Sequence, residues 1–221
     1  MKILALEFSS PARSVAVAVD GYLRCSMTEH GGRSIHAFEL VERALHTSGV
    51  AREEIECVAV GLGPGSYAGI RIAIAMAQGW QLARPVKLIG ISSADCAATW
   101  AVRWCGIRGI FHIGIDAQRA QIFVARYEAH GEAARLVEPF HLLRDEDNVR
   151  IASGEVLLRP DVLETDGPNI RALPPRAATL AKLADSHRDF VNGSELEPIY
   201  LRPLEFIKAP PPRLTSSETE I

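Results

Sequence analysis

The spacing of apolar positions along the chain changes several times, and each change marks an element. Residues 2–8, 14–20 and 22–30 read as three successive strands, the first hairpin turning through residues 9–13 and the second through the tight pair Asp20-Gly21. The period then lengthens. Ile35, Phe38, Val41 and Leu45 recur on one helical face and Gly49 is a natural stop, so a helix is expected over 35–48. A buried strand at 57–61, a helix after Ser66, a strand at 87–91 and a helix from Ser93 towards Cys105 complete the order βββαβαβα. Three antiparallel strands followed by parallel strands with crossover helices predict an α/β fold, a mixed sheet flanked by helices.

The second half begins the same way, with strand, polar turn and strand over 110–116 and 121–129, so a duplicated fold is plausible. The repeat then fades. Residues 135–143 read as one more strand, 150–153 as a short buried one, and 177–187 as the only clear helix. Two lobes are therefore expected, residues 1–106 and a reduced second lobe over 107–208. Residues 209–221 carry three prolines and then Thr-Ser-Ser-Glu-Thr-Glu, the composition of a disordered tail.

The segment 61–83 departs most from an ordinary amphipathic pattern. Gly63, Pro64 and Gly65 form a turn, and Ser66 is a good N-cap. Beyond it only Arg71 is charged as far as Ala83. Ala68, Ile72, Ala75 and Gly79 line one stripe of this helix, and Ile70, Ala73, Ile74 and Ala77 line another. One stripe serves the chain's own sheet. The other calls for a second cover, either another layer of the same chain or a partner helix, because Ala and Gly let helix backbones approach closely. A dinucleotide-binding loop fits poorly, since no Asp or Glu lies between Glu56 and Asp95 to meet a ribose. A membrane span fits poorly too, with Arg71, Gln78 and Gln81 in an Ala- and Gly-rich run.

A chain of 221 residues that is 48% hydrophobic can bury a substantial core. Its net charge of −3 and the absence of any Lys/Arg cluster give no electrostatic footprint for strong nucleic-acid binding. Cys25, Cys57, Cys96 and Cys105 show no metal-type spacing and read as free thiols of a reducing compartment. Glu7 falls where the apolar region of a signal peptide should run on, so a cytoplasmic protein is expected.

Candidate chemistry is sparse. Paired lobes that each open with a hairpin suggest the actin, Hsp70 and sugar-kinase superfamily, whose first turn places an acid and a glycine near nucleotide phosphates. Here that turn is Glu7-Phe8-Ser9-Ser10, and the matching turn after Asp116 is Ala117-Gln118-Arg119-Ala120, so neither is glycine-rich. His36 has Leu40 rather than a second histidine four residues on, and no Gly-x-Ser-x-Gly elbow or Walker loop is present. No catalytic constellation and no metal site emerge.

The stretch Gly61-Leu-Gly-Pro-Gly-Ser-Tyr-Ala-Gly-Ile-Arg-Ile, followed by Ala77-Gln-Gly-Trp, resembles the signature of the bacterial TsaB (YeaZ) family, Gly-x-Gly-Pro-Gly-Ser-Phe-Thr-Gly-Leu-Arg-Ile and then Ala-Lys-Gly-Leu. Further similar segments run in order: Ile3-Leu-Ala-Leu-Glu-Phe-Ser-Ser, Gly90-Ile-Ser-Ser-Ala-Asp, Ile115-Asp-Ala-Gln-Arg and Pro198-Ile-Tyr-Leu-Arg. The resemblance implies two RNase H-like lobes of the actin, Hsp70 and sugar-kinase superfamily and a role in making threonylcarbamoyladenosine beside the anticodon of tRNA. In that system the paralogue TsaD transfers the threonylcarbamoyl group, TsaE is an ATPase, and TsaB is a non-catalytic bridging subunit. It further implies that the first-lobe helices pack against TsaD or self-dimerise. Ile35, Phe38, Val41 and Leu45 of one helix, with Ala68, Arg71, Ile72, Ala75 and Gly79 of the next, are then the candidate interface. No cofactor is expected beyond a nucleotide at a subunit interface. The departures from the family pattern are Glu7 for Asp, Ala68 for Thr, Gln78 for Lys, and an altered stretch over 31–40. The competing classes are an actin-like ATP-binding enzyme, a phosphotransferase or peptidase, and a divergent homodimeric paralogue.

Overall fold

Strand β1 (Lys2–Glu7) is buried along almost its whole length and stands at the centre of a five-stranded sheet, because its side chains alternate between two covered faces. The computed structural model describes residues 1–30, 36–118, 121–144, 155–165 and 169–202. β1 pairs antiparallel with β2 (Ala12–Val19), which pairs antiparallel with β3 (Tyr22–His30). On its other side β1 pairs parallel with β4 (Cys57–Gly61), and β4 with β5 (Lys87–Ile91). The β2–β3 turn has Asp20 at φ 51° and Gly21 at φ 79°, the twin positive angles of a type I′ hairpin.

The second sheet repeats this plan. β6 (Ile110–Gln118), β7 (Gln121–His130) and β8 (Ala133–Arg144) form the antiparallel part. β9 (Leu157–Arg159) and β10 (Ile170–Ala172) add the parallel part beside β6. The orders 3-2-1-4-5 and 8-7-6-9-10 correspond strand for strand, so the molecule consists of two RNase H-like lobes. The parallel strands of the second lobe are three residues each against five in the first, which is the reduction expected from the sequence. β9 and β10 have no signal in the sequence, since three-residue strands carry no readable period. The strand expected at 150–153 and the tail at 209–221 lie outside the described residues.

Among the described residues four α-helices cover the sheets. α1 (Ala37–Ser48) and α2 (Tyr67–Ala83) lie on the face of the first sheet that carries Leu4, Leu6, Val15, Val17, Val58 and Val60. The opposite face is built from small side chains, Ala5, Ala16, Ala18 and Ala59 beside Ile3 and Cys57, and receives α4 (Ala177–Ser186) through Ala177, Leu180, Ala181 and Ala184. α4 comes from the second half of the chain but caps the first sheet, and the Ser14 hydroxyl of β2 accepts the hydrogen bond of its first amide, Ala177 N–H, at 2.9 Å. α3 (Ser93–Trp104) joins the lobes, with Cys96 on the first sheet and Ala94, Ala97, Ala101 and Val102 packed with Phe111, Ile113, Tyr127 and Leu158 of the second. The Tyr127 hydroxyl donates to Asp95 at 2.8 Å across that junction.

Candidate partner-docking groove

α2 begins as its sequence requires. The Ser66 hydroxyl accepts from Gly69 N–H at 3.3 Å and so caps one orphan amide of the first turn. Gly63 sits at φ 88°, where a side chain is strained, and a Cβ on Gly69 would stand 2.0 Å from the Phe8 carbonyl oxygen. The start of α2 is thereby pressed onto the end of β1. Ser66 N–H donates to the Ser9 carbonyl at 2.6 Å and completes the seam.

Beneath the turn lies Glu7, wholly buried. Its carboxyl accepts from Ser9 N–H at 2.9 Å and from the Ser93 hydroxyl at 2.8 Å, and that hydroxyl in turn accepts from Gly63 N–H at 3.0 Å. One acid thus ties β1, the Gly63–Pro64–Gly65 turn and the head of α3 together. Burial pushes its pKa above the usual carboxylate range, against the lowering effect of the hydrogen bonds from Ser9 and Ser93. The Glu7-Phe8-Ser9-Ser10 turn is closed by its own neighbours, with all four residues buried.

The two stripes of α2 separate cleanly. Ile70, Ala73, Ile74 and Ala77 enter the core, while Ala68, Arg71, Ala75 and Gly79 are exposed and Ile72 is half-buried. Among the described residues, outside the helix's own backbone, nothing approaches within 4 Å of a Cβ built on Gly79. Leu82, 89% exposed and seven residues after Ala75, extends the outward stripe beyond the residues that the family resemblance points to. Arg71 places its guanidinium 4.4 Å over the Tyr67 ring, which stacks with Tyr200 at 5.7 Å, so it belongs to the start of the helix.

α1 divides the candidate residues differently from the expectation. Ala37, Leu40, Val41, Ala44 and Leu45 form its core stripe. Val41 and Leu45 are therefore packed into the chain's own core, 2% and 5% exposed. Phe38, at the edge of that stripe, remains 73% exposed. Ile35 lies outside the described residues, and the helix starts at Ala37, two residues later than expected. Between α1 and α2 opens an apolar groove of about 430 Å³, walled by Phe38 and Val41 on one side and Ile72, Ala75, Met76 and Trp80 on the other. Arg84 lines it as well, and so do Glu42 and Arg52, which pair with each other.

Cys25, Cys57 and Cys96 are buried free thiols, burial pushing Cys57 up to about 12, and Cys105 is free and exposed. Asp116 N–H donates at 2.7 Å to Asp161, which Arg159 grips through two hydrogen bonds of 2.9 and 3.0 Å. Among the described residues no group of three or more His, Cys, Asp or Glu side chains could hold a metal ion, and no helix is long and apolar enough to cross a membrane.

Comparison with known proteins adds independent findings. The family model described as TsaD, tRNA N6-adenosine threonylcarbamoyltransferase, matches residues 33–154. The tRNA threonylcarbamoyladenosine biosynthesis protein TsaB of Escherichia coli is 33% identical over 147 residues, 62% of either chain, and that of Bacillus subtilis is 27% identical over 135 residues, 58% of this chain and 56% of its own. The match thus spans less than two thirds of these two relatives. The TsaB of Haemophilus influenzae is 22% identical over 223 residues, covering 91% of this chain and 94% of its own. Two solved Pseudomonas aeruginosa structures share the fold. One, described as an uncharacterized protein with similarity to peptidase YeaZ, has a TM-score of 0.77 at 27% identity and covers 91% of this chain and 99% of its own. The other, YeaZ, has a TM-score of 0.75 at 25% identity and covers 90% and 99%.

Proposed function

Because the chain belongs to the TsaB (YeaZ) family, within the threonylcarbamoyltransferase family whose model it matches, we propose that it is a non-catalytic subunit in the formation of threonylcarbamoyladenosine on tRNA, acting by binding and stabilising TsaD and helping to recruit TsaE in the cytoplasm. The uncovered α1/α2 groove is the observation that carries this reading. A helix laid against Ala68, Ala75 and Gly79 comes close to the α2 backbone, and the rims at Phe38, Ile72 and Leu82 close over it. Each large side chain that becomes fully covered contributes about 1.5–3 kcal/mol of hydrophobic free energy. A nucleotide-dependent enzyme is less well supported, since Phe8 and Glu7 fill the first turn and the Ser9 amide is already spent on Glu7.

The deciding experiment reconstitutes threonylcarbamoyladenosine formation from the cognate TsaD, TsaE and a TsaC-type synthase, with and without this chain. Strict dependence on the chain is the expected result. Equal formation without it would instead indicate a divergent paralogue. In the same mixture Ala75→Arg, which buries an unpaired charge in the contact, should weaken binding to TsaD by about 3–5 kcal/mol, a factor of roughly 150 to several thousand, and so reduce co-elution. The melting temperature of the free variant should not move, because position 75 is exposed. An intact complex would remove this stripe from the interface, and a second copy of the chain on the groove would show as a dimer lost in the variant.

A further inference from the structure

Behind the first sheet, on the side away from α1 and α2, a second groove of about 370 Å³ opens between β3, α3 and α4. Trp100 and Trp104 of α3 stack in it with ring centroids 4.7 Å apart, and Arg176 lies 4.4 Å over the Trp100 ring. Lys182 of α4 supplies a second cation, Ser26 and Thr28 of β3 supply hydroxyls, and none of the described residues that line this groove is a carboxylate. In a chain of net charge −3 that is a local excess of positive charge on an aromatic wall. The Thr179 hydroxyl, in a residue 1% exposed, has no hydrogen-bond partner among the described residues, and Thr179 lines both this groove and an adjoining recess of about 360 Å³. Of the carboxylates nearby, Glu132 lies in that recess and pairs with Arg103 at 3.0 Å, and Asp185 lines the recess while its Oδ2 also stands 3.0 Å from where a Cβ on Gly21 would be, at the edge of this groove.

Indoles and guanidinium planes attract flat π-systems, while Arg and Lys lining one groove attract an anion. An aliphatic anion makes little use of the indole pair, and a neutral ring makes none of the cations. We propose that this groove binds a nucleobase that carries a phosphate. Arg103 lies 5.1 Å over the Trp104 ring, so the base adds to the Arg103–Trp104–Trp100–Arg176 column at its Arg176 end, the phosphate is held by Lys182, and the ribose hydroxyls reach Ser26 and Thr28. The volume, near the lower end of ligand pockets at roughly 300–1,000 Å³, suits one nucleotide and not several. The same chemistry is presented by a free mononucleotide and by one unpaired residue of an RNA strand.

The test titrates the full chain with AMP and with a single-stranded tetraribonucleotide, following tryptophan fluorescence and heat. Trp104→Ala and Lys182→Gln serve as variants, both at exposed positions, with melting curves to show that each is folded. Quenching and binding that weaken about tenfold or more in both variants are expected, in keeping with base–aromatic stacking of roughly 1–3 kcal/mol. Binding of AMP assigns the site to a free nucleotide, and binding of the tetranucleotide alone assigns it to a strand. Failure of both probes to bind at millimolar concentration overturns the proposal. So does binding that both variants leave unchanged, which would put the nucleotide elsewhere in the molecule. TsaD is absent from this titration, so its outcome is independent of the subunit role.

Discussion

Glu7 shows how much one residue can organise. Its carboxyl has no cation beside it among the groups that shift its pKa, only hydrogen bonds from Ser9 and Ser93, so the neutral form is the one that burial favours. A folded pKa above the ordinary value of 4.5 means that this stabilisation is fully present below that value and is lost as pH rises through the higher folded value. Glu7→Gln keeps the shape and removes the ionisation. The wild type should therefore lose melting temperature relative to Glu7→Gln between pH 5 and pH 8, and parallel pH profiles for the two proteins would show that the carboxyl is not desolvated as described. The residue was legible in the sequence as a departure from Asp at the end of the first strand. Its partner Ser93, 86 residues away, was not, because no local pattern announces a hydrogen bond of that span.

At the scale of the element, α2 holds two glycines with opposite roles. Gly69 faces the chain's own backbone, and a methyl there meets the Phe8 carbonyl at 2.0 Å, so Gly69→Ala must push α2 off β1 and should cost about 1–3 kcal/mol or more in denaturant unfolding. Gly79 faces open space in the middle of the helix. Gly79→Ala should stabilise the free chain by about 0.5–1 kcal/mol, from helix propensity alone, yet weaken TsaD binding by holding the two backbones apart. A variant that is more stable and binds equally well would mean that no backbone approaches there. The stripes of α2 could be read from the sequence because a small-sided helix with one charge has few ways to be arranged. In α1 the apolar positions alone did not separate the core-facing Val41 and Leu45 from the outward Phe38, since all three share the i, i+3, i+7 spacing and Phe38 stands at the edge of the stripe that Ala37, Leu40 and Ala44 complete.

For the whole molecule, the decisive fact is that α4 closes the first lobe from the far end of the chain. Without it the small-residue face at Ile3, Ala5, Ala16 and Ala59 is open to water. A fragment of residues 1–106 should therefore aggregate or fail to unfold cooperatively, whereas the full chain gives a sigmoidal urea transition followed by circular dichroism. A soluble fragment with a sharp transition would show that the lobe stands without its lid.

By itself the sequence determined the order of elements in the first lobe, the repeat that opens the second, the family, and the division of α2 into two small-sided stripes. These are carried by periods of two and 3.6 and by contiguous motifs, and local physics suffices for them. Only the tertiary structure decided where α4 packs, that β9 and β10 complete the second sheet, that Val41 and Leu45 belong to the core, and that Trp100, Arg176 and Lys182 share a groove. Those outcomes depend on contacts between residues tens to more than a hundred positions apart, and burial by a distant segment leaves no period in the segment that is buried.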